Sequence, residues 1–174
     1  KKVSGVDDQG GFAEFVTTGS RETILLPDNL DLQSAALVEP LAVGIHAVRM
    51  ADVKAGSRVL VIGAGPAGMA AATAAAKRGA SVVLLDEQAA PGGQIWRSIL
   101  QAQPGRLERL GPDYAAGRAH AERFQRSGAR HITRAAVWQV TRDGVVNYLE
   151  SGVSQSIQGR RVVLCSGAME RPFP

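Results

Sequence analysis

Residues 57–87 read SRVLVIGAGPAGMAAATAAAKRGASVVLLDE. An apolar strand over 58–62 runs into a turn with glycines at 63, 65 and 68, then an alanine-rich helix, then a second apolar strand over Ser81–Leu85 that ends in acid. This is the pattern of a dinucleotide-binding βαβ unit. Gly63 permits a tight exit from the strand, Gly65 lets backbone approach a pyrophosphate, and Gly68 lets the helix pack on the strand. Pro66 and Ala67 complete the turn, and the helix start behind them offers N–H groups and a positive dipole end to phosphate. Lys77-Arg78-Gly79 closes the helix, with cations at its negative end and glycine after it. Asp86 falls 18 residues after Gly68, where a carboxylate accepts hydrogen bonds from an adenosine ribose. Glu87 is the second acid candidate, one step on and facing the other way. An acid here opposes a ribose 2′-phosphate, which makes NADP the least suited dinucleotide.

Outward from this stretch, composition sets the class. The 174 residues are 45% hydrophobic and 21% charged, ordinary for a globular chain. Aromatics are only 5%, which favours helices packed closely on a sheet. The net charge is +4, but the arginines are dispersed and no basic stripe carries interleaved aromatics, so nucleic acid is not an expected partner. No run is apolar enough to span a bilayer, and no signal-peptide pattern opens the chain. Cys165 is the single cysteine, so no internal disulfide or C-x-x-C pair is possible and a cytoplasmic location is the default. The chain opens on Lys1-Lys2 without methionine and stops at Phe173-Pro174, and it reads as a piece of something longer.

Upstream, residues 11–18 alternate around Phe12 and Phe15 and read as a strand. Ser34 is placed to cap a short helix over 35–38, and Glu39-Pro40 opens a stronger one with Leu41, Ile45 and Val48 on one face. The runs GFAEF and LPDNLDLQSAALVEPLAVGIHAVRMADVKAGSRVLVIGAGP resemble the zinc-type medium-chain alcohol and polyol dehydrogenases over residues 10–66. That resemblance implies NAD as the alternative cofactor and puts Glu39 near a catalytic zinc. The family's other zinc ligands have no counterpart here, and His46, His120 and His131 lack ligand spacing, so no metal site is expected. A carboxylate at a helix start, favoured by the dipole, accounts for Glu39.

Downstream the pattern changes. Pro91-Gly92-Gly93-Gln94 is a loop that lets backbone come very close to a neighbour. A glycine- and proline-bearing connector over 104–111 precedes a helix over 113–127 with Tyr114, Ala121 and Phe124 inward. Short strands near 129–133, 137–141, 145–149 and 153–157 lead to a buried strand over 160–165. Trp96 reads as core packing and Cys165 as a small buried hydrophobe. No general base is assigned among the histidines.

The runs VLVIGAGPAGMAAATAAAKRG, LLDEQAAPGGQIWRSIL, LGPDYAAGR and RRVVLCSGAMERPFP resemble the two-dinucleotide-fold flavoprotein oxidoreductases. Within these the likeness is to the group of opine oxidase, hydrogen cyanide synthase and sarcosine oxidase α subunits. The resemblance implies FAD, with Gly92, Gly93 and Gln94 along the ribityl and diphosphate side and Ser166, Gly167 and Ala168 touching the flavin nucleotide. It also implies a small amine or imino-acid type substrate and partner subunits of an oxidase complex. The expected architecture is α/β: a short α+β lobe over 1–56, then a Rossmann-like FAD-binding domain over 57–174. That domain has a parallel sheet and an inserted β-meander, and alone it is catalytically incomplete. The two resemblances meet at the glycine turn, so the chain reads as a hybrid joined there.

Overall fold

The computed structural model describes residues 14–21 and 23–168. The chain divides into two compact units, Lys1–Asp31 and Leu32–Pro174.

In the first unit the described residues form no helix or strand. Residues 11–13 of the expected strand lie outside the described residues, and 14–18 form a bend at Glu14 followed by irregular chain, with no strand ladder among the described residues. Phe15 and Val16 are exposed there. Apolar alternation alone does not make a strand, because a strand exists through its ladder and a covered face. Pro27 closes a turn by accepting the N–H of Leu30 at 2.9 Å.

The second unit begins with two helices, α1 (Leu32–Ala36) and α2 (Val38–Met50). Ser34 therefore lies inside α1 rather than before it. The strand–helix–strand core follows as β1 (Arg58–Ile62), α3 (Pro66–Lys77) and β2 (Ser81–Leu85). A 3₁₀ turn (Ile99–Gln101) and the long helix α4 (Pro104–Gln125) lead to β3 (Arg130–Ile132). The meander is β4 (Ala135–Val140), β5 (Val145–Glu150) and β6 (Val153–Gln158), and β7 (Arg161–Leu164) closes the chain of elements.

The parallel sheet has the order β3-β2-β1-β7, and the meander is a separate antiparallel sheet in the order β4-β5-β6. In β1 the side chains alternate. Val59 and Val61 join the helix-side core with Met69, Leu84, Trp96 and Phe124. Leu60 and Ile62 join the opposite core with Leu85, Ile132, Val146 and Tyr148. A strand buried on both faces must read as a continuous apolar run, as RVLVI does. The result is a three-layer α/β Rossmann-like domain: helices, parallel sheet, meander.

Two helical readings need correction. The residues 104–111 are not a loop: α4 starts at Pro104 and is bent at Gly111, whose φ is 83° and which precedes Pro112. Proline suits the first turn of a helix, so Pro104 marks a start and not loop punctuation. In α2 the buried residues are Gly44 and Val48, while Ile45 is 37% exposed. A Cβ on Gly44 would overlap the carbonyl oxygen of Ala67, so α2 lies backbone-to-backbone against the start of α3. Close packing through glycine, not a stripe of large side chains, sets the buried face.

Candidate functional site

The turn after β1 is where the sheet changes direction. From β1 the chain goes by way of α3 to β2 on one side, while β7 lies on the other. Open α/β sheets bind ligands in the crevice at the carboxyl ends of strands at such a switch point.

The three glycines of the turn do different work. Gly63 has φ of 99°, and a Cβ there would overlap the Cys165 carbonyl oxygen on the neighbouring strand. A Cβ on Gly68 would overlap the Gly63 carbonyl oxygen. Both are glycine because the protein leaves no room. Gly65 is different. It sits in ordinary extended geometry (φ −72°, ψ −177°), and the nearest atom to a Cβ there is the Cα of Gly93, 3.9 Å away. Nothing in the fold forbids a side chain at 65. Bare backbone at that point leaves the start of α3 open to a ligand.

Gly65 is the N-cap of α3 and gives it no side-chain cap; Pro66 follows at the first helical position. Met69 donates to the Gly65 carbonyl at 2.9 Å, which leaves the N–H groups of Ala67 and Gly68 without an intrahelical acceptor. The helix end therefore presents unsatisfied donors and a positive dipole end beside an uncovered glycine.

Asp86 lies at the end of β2 and is 9% exposed. Its Oδ2 accepts the N–H of Ala64 at 2.5 Å, and its Oδ1 accepts the N–H of Gln88 at 2.7 Å. The carboxylate thus ties the glycine turn to the exit of β2. A carboxylate has about four lone-pair sites, so each oxygen retains acceptor capacity. Glu87 is exposed and faces away; its Oε1 accepts from the Gln88 side-chain amide at 3.3 Å.

The loop after β2 packs on the turn. Gly92 donates to the Ala64 carbonyl at 2.8 Å, and a Cβ on Gly93 (φ 59°) would sit 2.8 Å from the Gly65 Cα. Gln94 is exposed, and its Oε1 accepts from the Arg97 guanidinium at 2.5 Å. On the other side the end of β7 delivers Ser166, Gly167 and Ala168, all exposed, next to Gly63. The structure therefore gathers Gly63–Gly68, Asp86, Gly92–Gln94 and the residues after Cys165 at one end of the sheet. Two contributors escaped the sequence: the Ala64 N–H that anchors Asp86, and Gly44, which braces Ala67 from α2. A lone glycine inside a helical pattern was the available signal for the second.

Trp96 is fully buried, stacked on His120 with ring centroids 5.2 Å apart, and its indole N–H donates to the Asp113 carbonyl at 3.1 Å. It is core. Cys165 is half-buried, and burial pushes its thiol pKa up, which keeps it protonated and a poor nucleophile. Glu39 stands exposed in the first turn of α2. Among the described residues no three of His, Cys, Asp and Glu are grouped to hold a metal ion. Among them too, no helix is long and apolar enough to cross a membrane.

With this geometry in place, the relatives are informative. Residues 57–174 match the pyridine nucleotide-disulphide oxidoreductase family. The chain is 47% identical over 124 residues to an opine oxidase subunit from Agrobacterium tumefaciens, covering 67% of this chain and 25% of that protein. It is also 48% identical over 84 residues to L-galactonate-5-dehydrogenase of Escherichia coli, covering 48% of this chain and 24% of that one. Sorbitol dehydrogenase of Bos taurus is 42% identical over 83 residues, with 48% and 23% covered. The oxidase similarity and the dehydrogenase similarity fall largely on different parts of the chain and, at 67% and 48% of its length, overlap in part. The chain spans about a quarter of the length of the curated relatives it matches. On the family match, which takes in more than half of its residues, the chain belongs to the pyridine nucleotide-disulphide oxidoreductases.

Proposed function

We propose that this chain binds the ADP part of FAD at the glycine turn. It would thereby serve as the dinucleotide-binding portion of a flavin-dependent oxidoreductase with an amine or imino-acid type substrate. The observation that carries the reading is Gly65: the fold tolerates a side chain there, and bare backbone is what a pyrophosphate needs at the start of α3. On this reading the N–H groups of Ala67 and Gly68 hold the pyrophosphate, and the remaining lone pairs of Asp86 take the adenosine ribose hydroxyls. Gly92-Gly93 leaves room for the diphosphate, and Ser166–Ala168 flank it. FAD, when bound, supplies a two-electron acceptor for the substrate. The residues of this chain bind and orient it, and none is assigned to proton transfer. The similarity to one component of an opine oxidase supports partner subunits, and a single half-buried cysteine suits the cytoplasm.

A second reading has its own support. The dehydrogenase similarity, together with α2 seated on α3 through Gly44, favours NAD at the same turn. Thermal-shift titration with FAD, ADP, NAD and NADP separates the two. FAD and ADP raising Tm while NADP does not is the expected result. Stabilisation by NAD but not FAD would replace the first reading with the second, and no shift with any of them would remove both.

A further inference from the structure

A second concave site lies on the helical layer and shares no residue with the glycine turn. Helices α2, α3 and α4 line a half-open groove of about 540 Å³. That is within the range of small-molecule sites. Its apolar wall is Leu41, Ile45 and Met69. Its charged wall is Arg49 from α2, Lys77 and Arg78 from the end of α3 and Arg123 from α4, with no aspartate or glutamate among the lining residues.

The cations are available. Arg78 reaches back to the Ala74 carbonyl at 3.4 Å, while the side chains of Arg49, Lys77 and Arg123 have no ion-pair or hydrogen-bond partner among the described residues. These side chains are exposed, so water screens their mutual repulsion and leaves them free to converge on an anionic head. His120 lines the same groove. Burial, and then the Arg123 charge, hold its pKa below the ordinary value, so the site already disfavours one more cation. The ligand that complements both walls has an apolar body and an anionic head.

We propose that this groove binds a single-chain anionic amphiphile of the fatty-carboxylate type. The chain lies along Leu41, Ile45 and Met69, and the carboxylate sits among Arg49, Lys77 and Arg123. A small molecule fits better than an acidic helix of a partner protein, because the groove is walled by three helices and its volume of about 540 Å³ is on the scale of a small-molecule site. The inference is independent of which dinucleotide the glycine turn takes.

Decanoate is the probe, titrated calorimetrically into the full 174-residue chain below its micellar concentration, with decanol and decyltrimethylammonium as controls. Saturable binding of one decanoate per chain is expected, with decanol at least about tenfold weaker. The double variant Arg49→Glu with Arg123→Glu, both exposed positions, should keep the wild-type Tm and weaken decanoate by about tenfold or more. The His120 imidazole resonance, assigned with His120→Gln, should titrate at higher pH once decanoate is bound. Saturating ADP should leave decanoate binding unchanged. Absence of decanoate binding, decanol binding as tightly as decanoate, an unaffected charge-reversal variant, an unmoved His120 titration, or displacement by ADP would each overturn the proposal. So would saturable binding of an acidic amphipathic peptide in the absence of any binding of decanoate.

Discussion

Two glycines outside the turn press against it, and they come from the two parts of the chain with different relatives. Gly44, in the dehydrogenase-like helix α2, admits the Ala67 carbonyl where a Cβ would overlap it. Gly93, in the flavoprotein-like loop, comes so close that its Cβ would lie 2.8 Å from the Gly65 Cα. Between them Gly65 itself is open, with its nearest neighbour 3.9 Å from a Cβ. The difference teaches how the site is made. The turn is braced by backbone packing from two elements and left bare only where the start of α3 faces out. A chain that resembles different families on the two sides of such a turn can keep it, because both sets of neighbours meet it by glycine rather than by matched large side chains.

The largest expected effects test the bracing. Gly68→Ala and Gly44→Ala each put a methyl group on a backbone oxygen that cannot swing aside. Overpacking of this kind should cost about 3 kcal/mol in each case, read from urea unfolding midpoints. Should Gly44→Ala cost less than about 0.5 kcal/mol, within the range of a neutral surface change, α2 is not part of the brace and the comparison fails.

Next comes the tie between turn and β2. Asp86→Ala removes the acceptor of two backbone N–H groups, one of them in the buried turn, and should cost about 2 kcal/mol. Asp86→Asn, which keeps an acceptor oxygen on one side, should cost less. Equal and negligible losses in both would show that the carboxylate does not hold the turn.

A smaller effect concerns pH. Burial lowers the pKa of His131, with the Asp86 charge opposing that shift in part, and burial and Arg123 lower that of His120. Below the ordinary value of about 6.5 the unfolded chain then binds more protons than the native one, so stability rises with pH there. The contribution is present in full above about pH 6.5 and is lost as pH falls through the depressed native values. His131 also leaves its Nε2 buried without a partner. His131→Leu should therefore flatten the fall of Tm across that window relative to wild type. An unchanged slope would contradict the burial assigned to the ring.

Much of this is legible from residues alone. The βαβ unit reads directly because its strands are buried on both faces and its turn needs glycine. It appears as Arg58–Ile62, Pro66–Lys77 and Ser81–Leu85. The first turn of the meander is legible through Asp143-Gly144, whose glycine takes positive φ; Gly152 does the same in the second turn. What fails does so for identifiable reasons. Residues 14–18 have the alternation of a strand but no ladder partner among the described residues. Pro104 misleads because the same residue begins helices and breaks them. Periodicity points Ile45 inward because it favours large side chains over the glycine that actually makes the contact. At the site, the glycine and acid positions are legible. The division of labour among Gly63, Gly65 and Gly68 is legible too; the tie from the Ala64 N–H to Asp86 and the close approach of Gly44 are not, because they depend on which elements the fold packs against the turn.

Gly65 gives the most direct test of the whole account. Isothermal titration with FAD and ADP on wild type and Gly65→Ala compares binding at matched stability. The variant should unfold within about 0.5 kcal/mol of wild type, since alanine suits the backbone there and makes only an ordinary contact with the Gly93 Cα. Its affinity for both ligands should fall by at least about tenfold, because the methyl group stands where the pyrophosphate approaches. Unchanged affinity in a fully folded Gly65→Ala protein would mean that the open glycine is not the nucleotide's place, and the central claim would be lost.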